Sequence, residues 1–320
     1  MFDDVFAPNE AEESNARRRH VAPFLPVETE DPNVPEKEAG GFWLRAPNVF
    51  TESDSLLKAK TSEKETTYDY VWCKLWLPGG VATLAEVQKP LTGGVVMCHG
   101  LGEYADRYNR MARRYSDALN ALVFAFDHRG FGRTEARKPK ETQRKGVTRM
   151  EWQMRDTDRA IQYVYNMLTK ESHLEDPKIF LFGHSMGGMN VLSYAFKGPA
   201  ALSTGQRRPA FPIQLAGVIA SSPQVRAVTP VNPALKYGGW LLAKVLPYVV
   251  IDNQIDLNTI CRDQAINEAV KNDPLMIKGV CVKMGEQFLF TAPRLIQEAE
   301  KVNPALPMLI VHGDADLITR

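Results

Sequence analysis

Short apolar runs that end in glycine-bearing turns alternate along this chain with stretches whose apolar residues recur at helical spacing. Residues 94–98 (GVVMC), 121–126 (ALVFAF), 179–182 (IFLF), 215–221 (LAGVIAS) and 307–311 (PMLIV) are rich in strand formers and short, so they read as buried strands. Between them, Tyr108, Met111, Ala112, Tyr115 and Leu119 share one helical face. Ile161, Val164, Tyr165 and Leu168 share another, preceded by a capping-box pair, Thr148 and Glu151. Upstream, 42–44 and 68–77 read as opening antiparallel strands, the second closed by Pro78-Gly79-Gly80. Strand and helix in alternation predict an α/β fold: a mostly parallel sheet with helices on both faces and ligands at the carboxyl ends of its strands. His99, Asp127, Ser185 and Asp316 lie just past such ends, so they are expected to gather at one rim.

Two stretches break the alternation. Residues 1–40 are rich in Glu, Asp, Pro and Asn and poor in apolar residues, which predicts a disordered tail. Residues 223–287 are far more chain than one crossover needs, which predicts a helical cap inserted above the rim of a core made of 41–222 and 288–320. Within it, Trp240, Leu241, Leu242, Val245 and Leu246 give a helix over 233–246 a large apolar surface, expected to contact substrate or lipid.

The chemistry centres on Gly183-His184-Ser185-Met186-Gly187, a G-x-S-x-G sequence lying between a buried strand and a helix. That context marks a nucleophile elbow. A Cβ at Gly183 or Gly187 would collide with the neighbouring strand and helix, and the strained turn lifts the Ser185 hydroxyl out of the sheet. The Met186 N–H, first in the new helix, points toward the place where an oxyanion would form.

Composition narrows the partners. A net charge of +1 gives no reason to expect nucleic acid, and 44% apolar with 24% charged residues is ordinary for a globular protein. Cys73, Cys98, Cys261 and Cys281 are far apart and lack metal-ligand spacing; they read as reduced, buried thiols of a cytoplasmic protein. No secretory signal or membrane-spanning run is legible, so contact with a membrane or lipid droplet is expected to be peripheral. No metal or organic cofactor is called for.

With HGLGEYADRY at 99–108, GHSMGG at 183–188, SSPQV at 221–225, NDPL at 272–275 and HGDAD at 312–316, the chain resembles the monoacylglycerol lipases of the α/β-hydrolase family, particularly the fungal kind. The resemblance implies an eight-stranded hydrolase sheet with a lid, an acylglycerol or other long-chain acyl ester as substrate, and fatty acid and glycerol as products. It implies Ser185 as nucleophile, Leu101 and Met186 as oxyanion donors supported by His99 and Gly100, and Asp316 as the triad acid ahead of Asp314. It also implies a histidine, an eighth strand and a closing helix after the acid. None of the six histidines follows Asp316. The chain is therefore expected to be a truncated and nearly inactive form, with the strand at 307–311 left as an uncovered edge. The alternatives are a pseudoenzyme that keeps the acyl pocket, or a lysophospholipase or general carboxylesterase. A peptidase would use the same residues.

Overall fold

The structure, a computed structural model, describes residues 24–26, 40–47, 68–138, 140–197, 213–227, 231–253 and 255–319. β1 (Leu25–Pro26), β2 (Phe42–Pro47) and β3 (Tyr68–Trp76) form the antiparallel opening. β4 (Gly93–Cys98) then leads through a glycine-rich loop to α1 (Asn109–Leu119) and β5 (Leu122–Phe126). α2 (Gly132–Ala136) and α3 (Met150–Asn166) precede β6 (Lys178–His184), α4 (Met186–Lys197) and β7 (Leu215–Ser221). The insert holds α5 (Pro233–Val245), β8 (Val250–Asp252), α6 (Gln264–Asn272) and β9 (Gly279–Cys281), followed by α7 (Val282–Phe290), α8 (Leu295–Glu298) and β10 (Met308–Val311).

The main sheet runs β1-β2-β3-β5-β4-β6-β7-β10, and every neighbour pair from β5 to β10 is parallel. Alternation along the central strands divides the interior in two. Val96, Cys98, Phe124 and Phe126 face α3 and α4, while Val95, Met97, Val123 and Ala125 face Ala112, Met111 and Tyr115 of α1. Both faces are thus covered, as the apolar runs predict, and the parallel strands deliver their turns to one rim. The cap's β8 and β9 pair antiparallel in a separate ribbon.

Three expectations need correction. The loose tail does not extend through Phe24–Pro26: Phe24 is buried and packs edge-on against Phe126, and β1 pairs with β2. One aromatic docked on the sheet outweighs the polar composition around it; the rest of 1–39 lies outside the described residues. The expected core boundary at 288 falls inside α7, whose Gln287 accepts from the Met150 N–H at 2.9 Å and donates to Glu151 at 2.8 Å, tying that helix to α3. The same contact breaks the expected capping box. The N-cap of α3 is Arg149, Thr148 instead accepts from Gln153 at 3.2 Å, and Glu151 is taken by Gln287. Among the described residues β10 pairs only with β7, and its apolar side chains are exposed, as for an uncovered edge.

Candidate active site

β6 ends at His184, and the chain reverses at Ser185 with φ of +52° before α4 begins at Met186. A non-glycine residue in this left-handed region is strained, so the surroundings must over-determine it. They do: the Ser185 N–H donates to Ser221 O at 2.9 Å, and its carbonyl accepts from Met189 N at 2.9 Å and Gln224 N at 3.0 Å. A Cβ on Gly183 would lie 2.1 Å from Gly187 O, and one on Gly187 would lie 2.1 Å from Cys98 O. The elbow is therefore pressed against the end of β4. Behind it the buried Met186 side chain receives the Gln153 amide at 3.2 Å from its sulfur. The Ser185 hydroxyl has no hydrogen-bond partner among the described residues.

The loop after β4 is built from its own polar groups. His99 Nδ1 donates to Gly100 O at 2.8 Å while Nε2 accepts from His128 N at 2.9 Å, which fixes the neutral tautomer. Burial lowers the His99 pKa to about 4, so it stays neutral in this structural role. Glu103 turns back to accept from Gly100 N at 3.0 Å, Tyr108 Oη at 2.6 Å and Arg107 Nε at 3.2 Å. Burial pushes its carboxyl up, but His184, the Tyr108 bond and Arg107 together outweigh that and hold it below the usual value. Gly100 N–H is thereby consumed, and Leu101 N–H is left without an acceptor among the described residues.

Asp316 lies in the loop after β10. Its Oδ1 accepts from Ile318 N at 2.8 Å and Thr319 N at 3.0 Å, and its Oδ2 from Thr319 Oγ1 at 3.0 Å, with His312 Nε2 at 3.2 Å. Burial raises its pKa, yet these donors lower it further, so the carboxyl is ionised at neutral pH. None of the described histidines bonds Ser185. His184 Nδ1 lies 3.3 Å from Ser221 Oγ, His99 and His128 are buried against each other, and His312 is engaged by Asp316 and Thr319.

Gly100, Leu101, Ser185 and Asp316 line one cavity of about 940 Å³ between the rim and the cap. Its apolar wall comes from Ile255, Leu257, Ile260, Ile266, Met276 and Ile277. Trp240, Leu241 and Leu242, expected to contact substrate, are not part of that wall. α5 leans on α7 through Tyr237 and Lys236 against Phe290, and Leu241 and Leu242 face outward, 59% and 40% exposed. The later part of the insert roofs the cavity instead. No sequence signal pointed to residues 255–262, which are loop with no apolar periodicity. Cys261, expected to be buried, is half-exposed on this wall. The wall hangs from Asn267, fully buried on α6, whose Nδ2 donates to Asn258 O at 3.2 Å and Cys261 O at 2.8 Å.

Among the described residues no cluster of acidic, histidine or cysteine side chains is arranged to hold a metal ion, and no helix is long and apolar enough to cross a membrane. A strained serine at a helix start, the Leu101 N–H and an ionised aspartate, all on one cavity, are groups that acyl-transfer chemistry can use.

Comparison with known proteins agrees with this geometry. The family model described as serine aminopeptidase, S33, matches residues 89–320. The monoacylglycerol lipase of Mycolicibacterium smegmatis is 29% identical over 74% of this chain and 76% of its own length. The monoglyceride lipase of Mus musculus is 30% identical over 77% and 70%. Among solved structures, the Paleococcus ferrophilus monoacylglycerol lipase superposes with a TM-score of 0.60 at 26% identity, covering 78% of this chain and 79% of that one. The chain therefore belongs to the serine aminopeptidase S33 family of α/β-hydrolases and, with its monoglyceride lipase relatives, to the monoacylglycerol lipase family.

Proposed function

We propose that the cavity binds a monoacylglycerol and that Ser185 is its nucleophile. The observation that carries the reading is Ser185 at φ +52°, at the head of α4, opening into a cavity walled by Ile255, Leu257, Ile260 and Ile266. In this scheme Ser185 Oγ bonds the ester carbonyl carbon while Leu101 and Met186 N–H groups take the oxyanion. The C–O bond to glycerol breaks, glycerol leaves with a proton, and water releases the fatty acid. Asp316, already ionised, would orient a histidine base in this scheme.

The test is fatty-acid release from 2-oleoylglycerol with Ser185→Ala as control. A rate abolished by the substitution supports the reading, and equal rates in both proteins overturn it. The apolar wall of Ile255, Leu257, Ile260 and Ile266 also supports a second reading, a non-catalytic acyl-lipid-binding protein. That protein would bind oleoylglycerol equally well with and without Ser185.

The proposed lipid-surface contact is α5 and the residues after it. Leu241, Leu242, Val245, Leu246, Val249 and Ile251 are all exposed there, an apolar patch flanked by Lys236 and Lys244.

A further inference from the structure

The loop that carries Leu101 is anchored at one end by the core and at the other by the cap. On the core side, Ala105 N donates to Asp127 Oδ1 at 2.7 Å. On the cap side, Tyr104 Oη donates to Asp273 Oδ2 at 2.5 Å, and Ile277 N donates to Gly102 O at 3.0 Å. The approach is close enough that a Cβ on Gly102 would sit 2.3 Å from Ile277 O. Asp273 is itself held in a turn by Leu275 N at 2.9 Å and Met276 N, which places the acceptor against Tyr104. Residues 276–278 also line the cavity, so the segment that touches the loop is the segment that closes the roof.

We propose that Tyr104 and Asp273 are positioning residues that tie the Leu101 N–H to the cap, so that the oxyanion hole is assembled only while the 273–277 segment is seated. The proposal rests on the reading of Leu101 as an oxyanion donor. A bond from a phenol to a carboxylate is among the stronger kinds available at a half-buried site, and it is the only side-chain bond among the described residues joining the 99–105 loop to the cap. An acyl chain that spreads the cap withdraws Ile277 from Gly102 and frees the loop. Entry of substrate and stabilisation of its oxyanion then belong to two positions of one segment.

Two measurements on the full chain test this. In hydrogen exchange, Tyr104→Phe and Asp273→Ala should each speed exchange across 100–105 and 273–279 by about tenfold, the effect of losing one charge-assisted bond, while Asp273→Asn, which keeps a neutral acceptor, should speed it less. In binding, octylboronic acid reports the oxyanion hole. Its boron takes Ser185 Oγ as a fourth ligand, the hydroxyl proton passes to buffer, and the resulting anion is held by the N–H groups. Octanol reports the acyl wall alone. Tyr104→Phe should weaken the boronic acid about tenfold and leave octanol unchanged, as loss of oxyanion contacts requires. Unaltered exchange overturns the proposal, as does an equal loss for both ligands, which would mark a merely structural role. If wild type binds octanol but no boronic acid, the assignment of Ser185 fails instead, and the exchange result decides the tie by itself.

Discussion

Replacing Gly187 by alanine puts a number on how tightly the elbow is pressed into the fold. The new Cβ would lie 2.1 Å from Cys98 O and 2.7 Å from His99 O. Both obstacles are backbone, so no rotamer change relieves them, and the gap must open from 2.1 Å to the 3.4 Å at which ordinary contact begins. Overpacking a core costs about 1–3 kcal/mol when side chains can move, so a loss at or above about 3 kcal/mol is expected here. At about 2 °C per kcal/mol for a chain of this size, that is a fall of about 6 °C in Tm. The same displacement of more than an ångström carries the 99–105 loop away from Ser185. Oxyanion donors act over about 2.7–3.1 Å, and losing one costs about 10²–10³ in rate. Thermal melts alongside 2-oleoylglycerol hydrolysis measure both effects. The control is Gly238→Ala in α5, where a Cβ meets nothing within 4 Å. A helix interior should gain about 0.5–1 kcal/mol from that change. The reasoning is refuted if Gly187→Ala melts with the wild type, or if Gly238→Ala falls as far.

Other perturbations probe separate parts of the molecule. Arg129 bonds Asp156 through Nε at 2.7 Å and Asp69 through Nη1 at 2.5 Å; Arg129→Met removes the cation they share, leaves Asp156 to Arg159 alone, and should cost about 3 kcal/mol in urea unfolding. Burial pushes Asp127 and Asp158 up to about 7, against about 3.9 in an unfolded chain, so the folded state holds their protons more tightly. Their contribution to stability is full below about pH 4 and is lost as pH rises through about 7; Asp158→Asn, which keeps an acceptor for Tyr194, should flatten that slope in pH-dependent melts. Leu241→Asp with Leu242→Asp should abolish cosedimentation with anionic vesicles and leave Tm unchanged, because both side chains are already exposed.

What could be read in the sequence is what repeats or what glycine punctuates. The strands at 94–98, 179–182 and 215–221 were legible because both faces of a parallel sheet are buried, so the apolar run is unbroken. The elbow was legible because close approach of Cys98 O and Gly187 O permits only glycine at two fixed positions. The cavity wall was not. Residues 255–262 are held by backbone turns and by Asn267, and loops of that kind leave no period to detect. α5 was legible as a helix with a large apolar surface, but not where that surface points: Leu241, Leu242 and Val245 are exposed and lie off the cavity wall. Periodicity reports that an apolar surface exists, not what covers it. Phe24 escaped because a single docked aromatic is invisible to composition.

Asn267 touches no part of the cavity, yet its one amide group suspends two of the peptide units that shape the wall. A change of that single codon to aspartate would turn two donated bonds into repulsions and let the 258–261 strap sag or swing, altering the space offered to an acyl chain without replacing any residue that meets it. Selectivity in this fold can therefore drift through positions that a substrate never contacts. A library confined to lining residues would miss this position.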